Sequence, residues 1–390
     1  MNRIPGVADS GTASNTAEIR ERVMDAADRG VALRIVGAGT WLDAGRPVRA
    51  ATMLKLNNLR GIVEYTPGDL TLTARAGTTL EEIRAATAAE HQWLPLEPFG
   101  VQTGSLGATI ATSSSGPLAH AYGGPRDQVL GLETVTGSGA IVRSGGRVVK
   151  NVAGFDLTRL FTGSWGTLGV ITEVTVRLRA LPELRQTYAL TLREDPESFG
   201  AQLRAVRAAR IAPIALECVS ASIAARLGMG RQPVLLARMA GNERVVTAQR
   251  DVLSALGEVA AVSDAVWETL RAAEPRHAAV ARFSRAPSYF EQCWRAAMNS
   301  LGARADAYAT GSPSRGLARV VVPYEHEEEL EPLMHAARSF GGRVVYERLP
   351  ARAWSTAGVS SAVADRLSRG VKERFDPMHV LNPGILGGAE

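Results

Sequence analysis

The run KNVAGFDLTRLFTGSWGTLGVITEV, residues 150–174, packs Gly154, Gly163, Gly166 and Gly169 between an amphipathic helical segment and a strand-like apolar run. Glycine lets a backbone approach a ligand closely and adopt positive φ, at an entropic cost in the unfolded chain. Four glycines within sixteen residues point to a backbone shaped around a flat, polar cofactor. Taken by itself, the run also reads as an ordinary helix followed by a glycine-rich turn.

Two more glycine-rich segments lie upstream. Strand-then-turn VGAGT (36–40) invites the dinucleotide fingerprint G-x-G-x-x-G, but the third glycine position holds Leu42, followed by Asp43, Ala44, Gly45, Arg46 and Pro47. No helix starts well there, so a nicotinamide-dinucleotide site fails on its own requirements. What remains is a short loop with exposed N–H groups, suited to an anion, or else a plain hairpin turn. The second segment, residues 100–125, is dominated by Gly, Ser, Thr and Ala. Such a stretch is a flexible linker or a loop held by a ligand, and Leu106, Ile110 and Ala111 favour the ordered loop.

Around these segments the chain alternates short elements. Residues 1–14 are small and polar and are expected to be poorly ordered. A helix follows from Thr16 to a glycine cap at Gly30, then strands over VALRIVG, ATMLKL, GIVEYTPGD and LTLTARAG. TTLEEIRAATAAEHQ reads as a helix capped by Thr78 or Thr79, with Glu81 and Glu82 in its first turn. QVLGLETVTGSGAIVRS reads as a hairpin turning at Gly137-Ser138-Gly139. The texture changes near Leu181-Pro182. Beyond it, strand-like runs (TYALTLR, PVLLARMAG, LARVVVPY) alternate with Ala-, Arg- and Glu-rich helices in βαβ-like passes of a small α+β layer. No short internal repeat is visible.

At 390 residues, with 45% hydrophobic and 21% charged side chains, the chain is long enough for two soluble domains with proper cores. The net charge of +5 is spread along the sequence, so no basic stripe for nucleic acid stands out. Cys218 and Cys293 are the two cysteines, too few and too far apart for a disulfide framework, a zinc site or an iron–sulfur cluster. The polar N-terminus and the lack of a long apolar run make the chain read as cytoplasmic.

Together the three glycine segments resemble the FAD-binding domain of the vanillyl-alcohol-oxidase/p-cresol-methylhydroxylase (PCMH-type) flavoproteins. The resemblance implies an α+β fold: a two-subdomain PCMH-type FAD-binding domain over 1–182, an α+β cap over 183–345, and a C-terminal segment, 346–390, returning to the FAD domain. In that family the first loop wraps the FAD pyrophosphate, which here falls on Val36, Gly37, Ala38, Gly39, Thr40 and Trp41. The second flavin loop maps to Gly104, Ser105, Gly107, Ala108, Thr112, Ser113 and Gly116, with Ser113 where Asn and Ala108 where Gly is frequent. Gly123 continues the match, while the adjacent Arg126 and Asp127 form an ion pair or touch ligand. The run that opens this section contributes Gly166, Gly169, Val170 and Ile171. FDP (375–377) and LNPG (381–384) resemble the family's closing element, where Asn382 bonds a flavin edge or caps a turn.

Relatives that attach FAD covalently place a His just after the first loop's glycines. Trp41 stands near that position here, so the resemblance implies non-covalent FAD. D-lactate-type relatives carry a His- and Asp-rich cap motif that binds metal. The six His, at 91, 120, 277, 326, 335 and 379, lack such spacing, and no metal site is expected. The likeness narrows to the E-subunit branch of bacterial glycolate oxidase, through LRGIVEYTPGDLTLTARAGTTLEEI (59–83), HQWLPLEP (91–98) and ARFSRAP (281–287). That branch implies a complex with a D-like flavoprotein and an iron–sulfur subunit, glycolate as substrate, no nucleic acid, and membrane contact only through partners. A stand-alone FAD-dependent 2-hydroxy acid dehydrogenase and a non-catalytic flavin-holding subunit remain the alternatives. Arg282 is the candidate grip on a substrate carboxylate, since a guanidinium binds one in two places, or it is a surface arginine. No residue stands out as the catalytic base.

Overall fold

The computed structural model describes residues 8–50, 52–101, 103–146, 156–358 and 363–387. The chain divides into two compact units, one comprising Met1–Gly116, Gly123–Leu181 and Val359–Glu390, the other Pro117–Tyr122 and Pro182–Gly358.

The first unit is built on two sheets. A three-stranded parallel sheet has Thr52–Lys55 between Ala8–Thr12 and Leu33–Val36. Residues 8–12 are therefore a strand, contrary to the expectation of a poorly ordered N-terminus; residues 1–7 lie outside the described set. Ladder bonds to Thr52–Lys55 satisfy a polar backbone that composition alone would leave in solvent. Helix Thr16–Asp28 follows, capped by Asn15, whose side chain accepts the Glu18 N–H. Ile19 and Val23, four apart on one face, are completely buried.

A five-stranded antiparallel sheet runs Ile62–Thr66, Thr71–Arg75, Gly169–Arg177, Val129–Thr136, Ile141–Gly145. Its last pair is the expected hairpin. Helix Leu80–Ala88 begins at Thr79 in a reciprocal capping box: the Thr79 hydroxyl accepts the Glu82 N–H while the Glu82 carboxylate accepts the Thr79 N–H. Of residues 150–174, the structure describes a helix at Leu157–Phe161 and the strand from Gly169; 150–155, with Gly154, fall outside the described residues.

Residues 106–112 are a short helix rather than a loop, which corrects the linker-or-loop reading. Leu106 and Ile110, one turn apart, are fully buried, and the Leu106 and Gly107 N–H groups donate to the Thr78 and Ala76 carbonyls at 2.8 Å. Tertiary bonds thus help hold in helical form a segment that carries Gly107, Thr109 and Thr112 among its seven residues. Ser113 ends it with φ of 54°, a left-handed conformation that Asn adopts more readily than Ser.

The second unit is one eight-stranded sheet in which every pairing among the described residues is antiparallel. It holds a repeat too long and too diverged to see in the sequence. Strand–helix–strand–strand–helix–strand runs from Leu184–Thr191 to Val259–Val262 and again from Ala278–Ser284 to Arg343–Arg348. Within each half the first strand lies between the third and fourth, and the third between the first and second, the split βαβ arrangement. The halves join through their second strands, Cys218 opposite Gly311 and Val219 opposite Thr310. No helix among the described residues is long and apolar enough to cross a membrane.

Candidate functional site

In the first unit, strand Leu33–Val36 runs straight into the loop 37–41, and helix 106–112 lies beside it. Between them opens a cleft. Fifteen of the nineteen expected cofactor residues line it: Val36, Gly37, Ala38, Gly39, Thr40, Trp41, Gly104, Ser105, Gly107, Ala108, Thr112, Gly166, Gly169, Ile171 and Asn382.

The other four sit elsewhere for legible reasons. Val170 alternates with Gly169 and Ile171 along one strand, so its side chain points to the opposite face and is completely buried. Ser113 caps the short helix and packs under Gly163. Gly116 is pressed against Glu97, where a Cβ would lie 1.9 Å from the carbonyl oxygen. Gly123 has φ of 78° and leaves room for the Asp127 carboxylate, which accepts the Gly124 N–H at 2.8 Å. Arg126 donates to the Thr162 carbonyl, so both residues of that pair are tied to nearby backbone.

The cleft's chemistry lies in what it leaves unpaired. Among the described residues, the backbone N–H groups of Gly37 through Trp41 donate to no protein acceptor. The Ser105 hydroxyl is buried and has no partner. Buried polar groups are rarely left so, because each carries an uncompensated desolvation cost. A Cβ on Gly37, at the loop's start, would lie 2.2 Å from Ser105 Oγ and 3.1 Å from the Ala108 Cβ, so any larger residue there would have to displace that hydroxyl. On the facing helix, a Cβ on Gly107 would lie 2.5 Å from the Ala76 Cβ and 2.9 Å from its carbonyl oxygen. Consecutive bare amides, a spare hydroxyl and small residues on both walls fit the diphosphate and flat rings of FAD.

Two features escaped sequence reasoning. Trp165, in the left-handed region at φ of 55°, stacks on Trp41 with centroids 6.0 Å apart. Arg34, just before the loop, also lines the cleft, and among the described lining residues it is the one charged side chain. It is 7% exposed and donates to the Leu42 carbonyl at 3.2 Å. Burial pulls its guanidinium down to about 10.

Asn382 spends its amide on the frame. Its Oδ1 accepts the Ile35 N–H at 2.8 Å and its Nδ2 donates to the Trp165 carbonyl at 2.7 Å. Asp376, of the FDP element, is completely buried, and its carboxylate accepts the Val380 and Leu381 N–H groups. Lys372 completes that clasp, although burial lowers its own affinity for the proton.

Arg282 belongs to the second unit. Its Nε lies 2.7 Å from Glu347 Oε1, and Glu347 Oε2 is 2.8 Å from Arg319 Nε. Arg319 and Arg348 in turn meet Glu274. The Arg282 side chain is 32% exposed. Among the described residues no group of three or more His, Cys, Asp or Glu is placed to hold a metal ion.

Residues 12–145 match the family model described as an FAD binding domain. The chain is 42% identical over 172 residues to glycolate oxidase subunit GlcE of Escherichia coli, covering 44% of this chain and 48% of that one. It is 37% identical over 205 residues to glycolate oxidase subunit GlcD of Bacillus subtilis, covering 52% and 43%. The chain thus spans about half the length of these two curated relatives in the matched stretch. Among solved structures, p-cresol methylhydroxylase superposes with a TM-score of 0.73 over 98% of this chain and 89% of that one, at 16% identity. The chain therefore shares the α+β fold of that structure over nearly its whole length. The cleft's first two glycine segments, at 37–41 and 104–112, fall within the stretch that matches the FAD binding domain model.

Proposed function

We propose that this chain is the FAD-binding subunit of a glycolate oxidase (glycolate dehydrogenase) complex that oxidises a small 2-hydroxy acid to its 2-oxo acid. The observation that carries the reading is the run of bare amides from Gly37 to Trp41, in a chain related to glycolate oxidase subunits. FAD, when bound, supplies the two-electron acceptor for the hydride on the substrate α-carbon.

The chain's own residues bind and orient. The amides of 37–41 and the Ser105 hydroxyl hold the diphosphate, and Gly104, Gly107 and Ala108 let the backbone approach it. The FAD is non-covalent, because the position after the loop's glycines carries Trp41, an indole with no nucleophile for a flavin bond. Arg282 remains the candidate grip on the substrate carboxylate. Its Nε is engaged by Glu347, and its two Nη atoms have no protein partner among the described residues. The FAD domain covers 1–182, the cap 183–345 and the returning segment 346–390. The complex supplies a D-like flavoprotein and an iron–sulfur subunit, and the chain works in the cytoplasm with membrane contact through those partners.

An absorbance spectrum of the purified chain, followed by anaerobic glycolate, tests this. A flavin spectrum that glycolate leaves unbleached, and that acid precipitation separates from the protein, is the expected result. Bleaching by glycolate would make the isolated chain a complete dehydrogenase. A chain that takes up no flavin would end the reading.

A further inference from the structure

Arg34 is a buried cation whose charge is unanswered. Its guanidinium is 7% exposed, yet its partner among the described residues is a carbonyl, that of Leu42. Taking a charged side chain out of water costs several kcal/mol, which proteins ordinarily offset with an opposite charge. Among the described residues no carboxylate lines the cleft that Arg34 faces. The nearest polar groups in sequence, the N–H groups of 37–41, carry partial positive charge of their own and have no protein acceptor. Cation and amides therefore create one electropositive pocket, an arrangement suited to an anion.

We propose that Arg34 is the counter-charge for the FAD diphosphate, and that the Leu42 carbonyl parks it until the cofactor arrives. This rests on the FAD reading above and assigns the diphosphate's charge to one side chain. A guanidinium matches phosphate oxygens in two-pronged geometry, while the loop amides contribute single bonds. The same carbonyl contact couples the cation to loop 37–41, so binding of the anion fixes the loop as well.

The test measures two quantities on Arg34→Met and Arg34→Lys: the FAD dissociation constant, by quenching of flavin fluorescence, and the melting temperature of the flavin-free protein. Arg34→Met keeps bulk and removes charge. It should weaken FAD by roughly 30-fold or more while leaving the flavin-free protein at least as heat-stable as the parent, since an unanswered buried charge is gone. Arg34→Lys keeps the charge and loses the two-pronged grip, so its FAD affinity should fall between those of the parent and Arg34→Met. A lower melting temperature in both variants with equal loss of FAD would make Arg34 a loop clasp and overturn the proposal. Unchanged FAD affinity in Arg34→Met would also overturn it. Failure of the parent chain to bind FAD would instead defeat the cofactor reading, which separates the two.

Discussion

Arg34 and Arg319 are both nearly shut off from solvent, at 7% and 2% exposure, in different units of the molecule. Arg319 is met on two sides by carboxylates, with Nε 2.8 Å from Glu347 and Nη2 2.5 Å from Glu274. Arg34 is met by one carbonyl. The charge of Arg319 is answered within the second unit, so those two contacts read as architecture. The first unit leaves amides, a hydroxyl and a cation waiting around one cleft, so the polar groups there read as one half of a contact. Burial alone does not separate scaffold from site; the pairing of what is buried does.

The largest expected effect comes from breaking the balanced side. Arg319→Met leaves the buried carboxylates Glu347 and Glu274 with one cation each, Arg282 and Arg348, and should cost about 3 kcal/mol, read as a drop in the urea midpoint for the second unit. A loss below about 1 kcal/mol would mean that solvent already screens the network.

Glu217 sharpens the contrast from inside the second unit. It is 3% exposed, has no ion-pair partner among the described residues, and burial pushes its carboxyl up to about 8. An acid with a raised folded-state pKa favours the protonated native state. Its share of stability is complete below the ordinary carboxylate range and is lost as pH rises toward 8. Glu217→Gln should flatten that slope, measured as denaturant midpoints at pH 5 and pH 8. An identical slope in the variant would show that other groups set the pH dependence.

The smallest effect on stability belongs to the waiting side. Ser105→Ala removes a hydroxyl that has no partner, so the flavin-free protein should change by no more than about 0.5 kcal/mol or gain slightly. FAD affinity should nevertheless fall several-fold in titration. A destabilised flavin-free variant with unchanged FAD binding would reverse the roles assigned to the two units.

Much of this was legible before any coordinates. The loop 37–41 was legible as an anion loop or a plain hairpin turn, because its glycine pair follows a strand with no helix behind it. The Thr79–Glu82 box and the 129–145 hairpin are local, and local chemistry writes itself into local sequence. Arg34 was missed because one charged residue in an apolar strand looks like an exposed position; only the Leu42 contact shows it turned inward. The helix at 106–112 was hidden by its Gly and Thr content, since its stability comes from Thr78 and Ala76 in another segment. The split βαβ repeat of the second unit lies in strand order, and pairing such as Val219 with Thr310 leaves no mark on either segment alone.

The return of the tail to the loop's root has a consequence for how the protein is made. Leu33 donates to Val380, Asn382 donates back to Leu33, and the Asn382 side chain holds Ile35 and Trp165. The edge of the strand that launches loop 37–41 is thus completed by residues more than 340 positions later. On the ribosome, nearly the whole chain must emerge before that edge can close. On the FAD reading, cofactor loading would be a late event that reports on synthesis through residue 382, and prematurely terminated chains would be set apart by their failure to turn yellow.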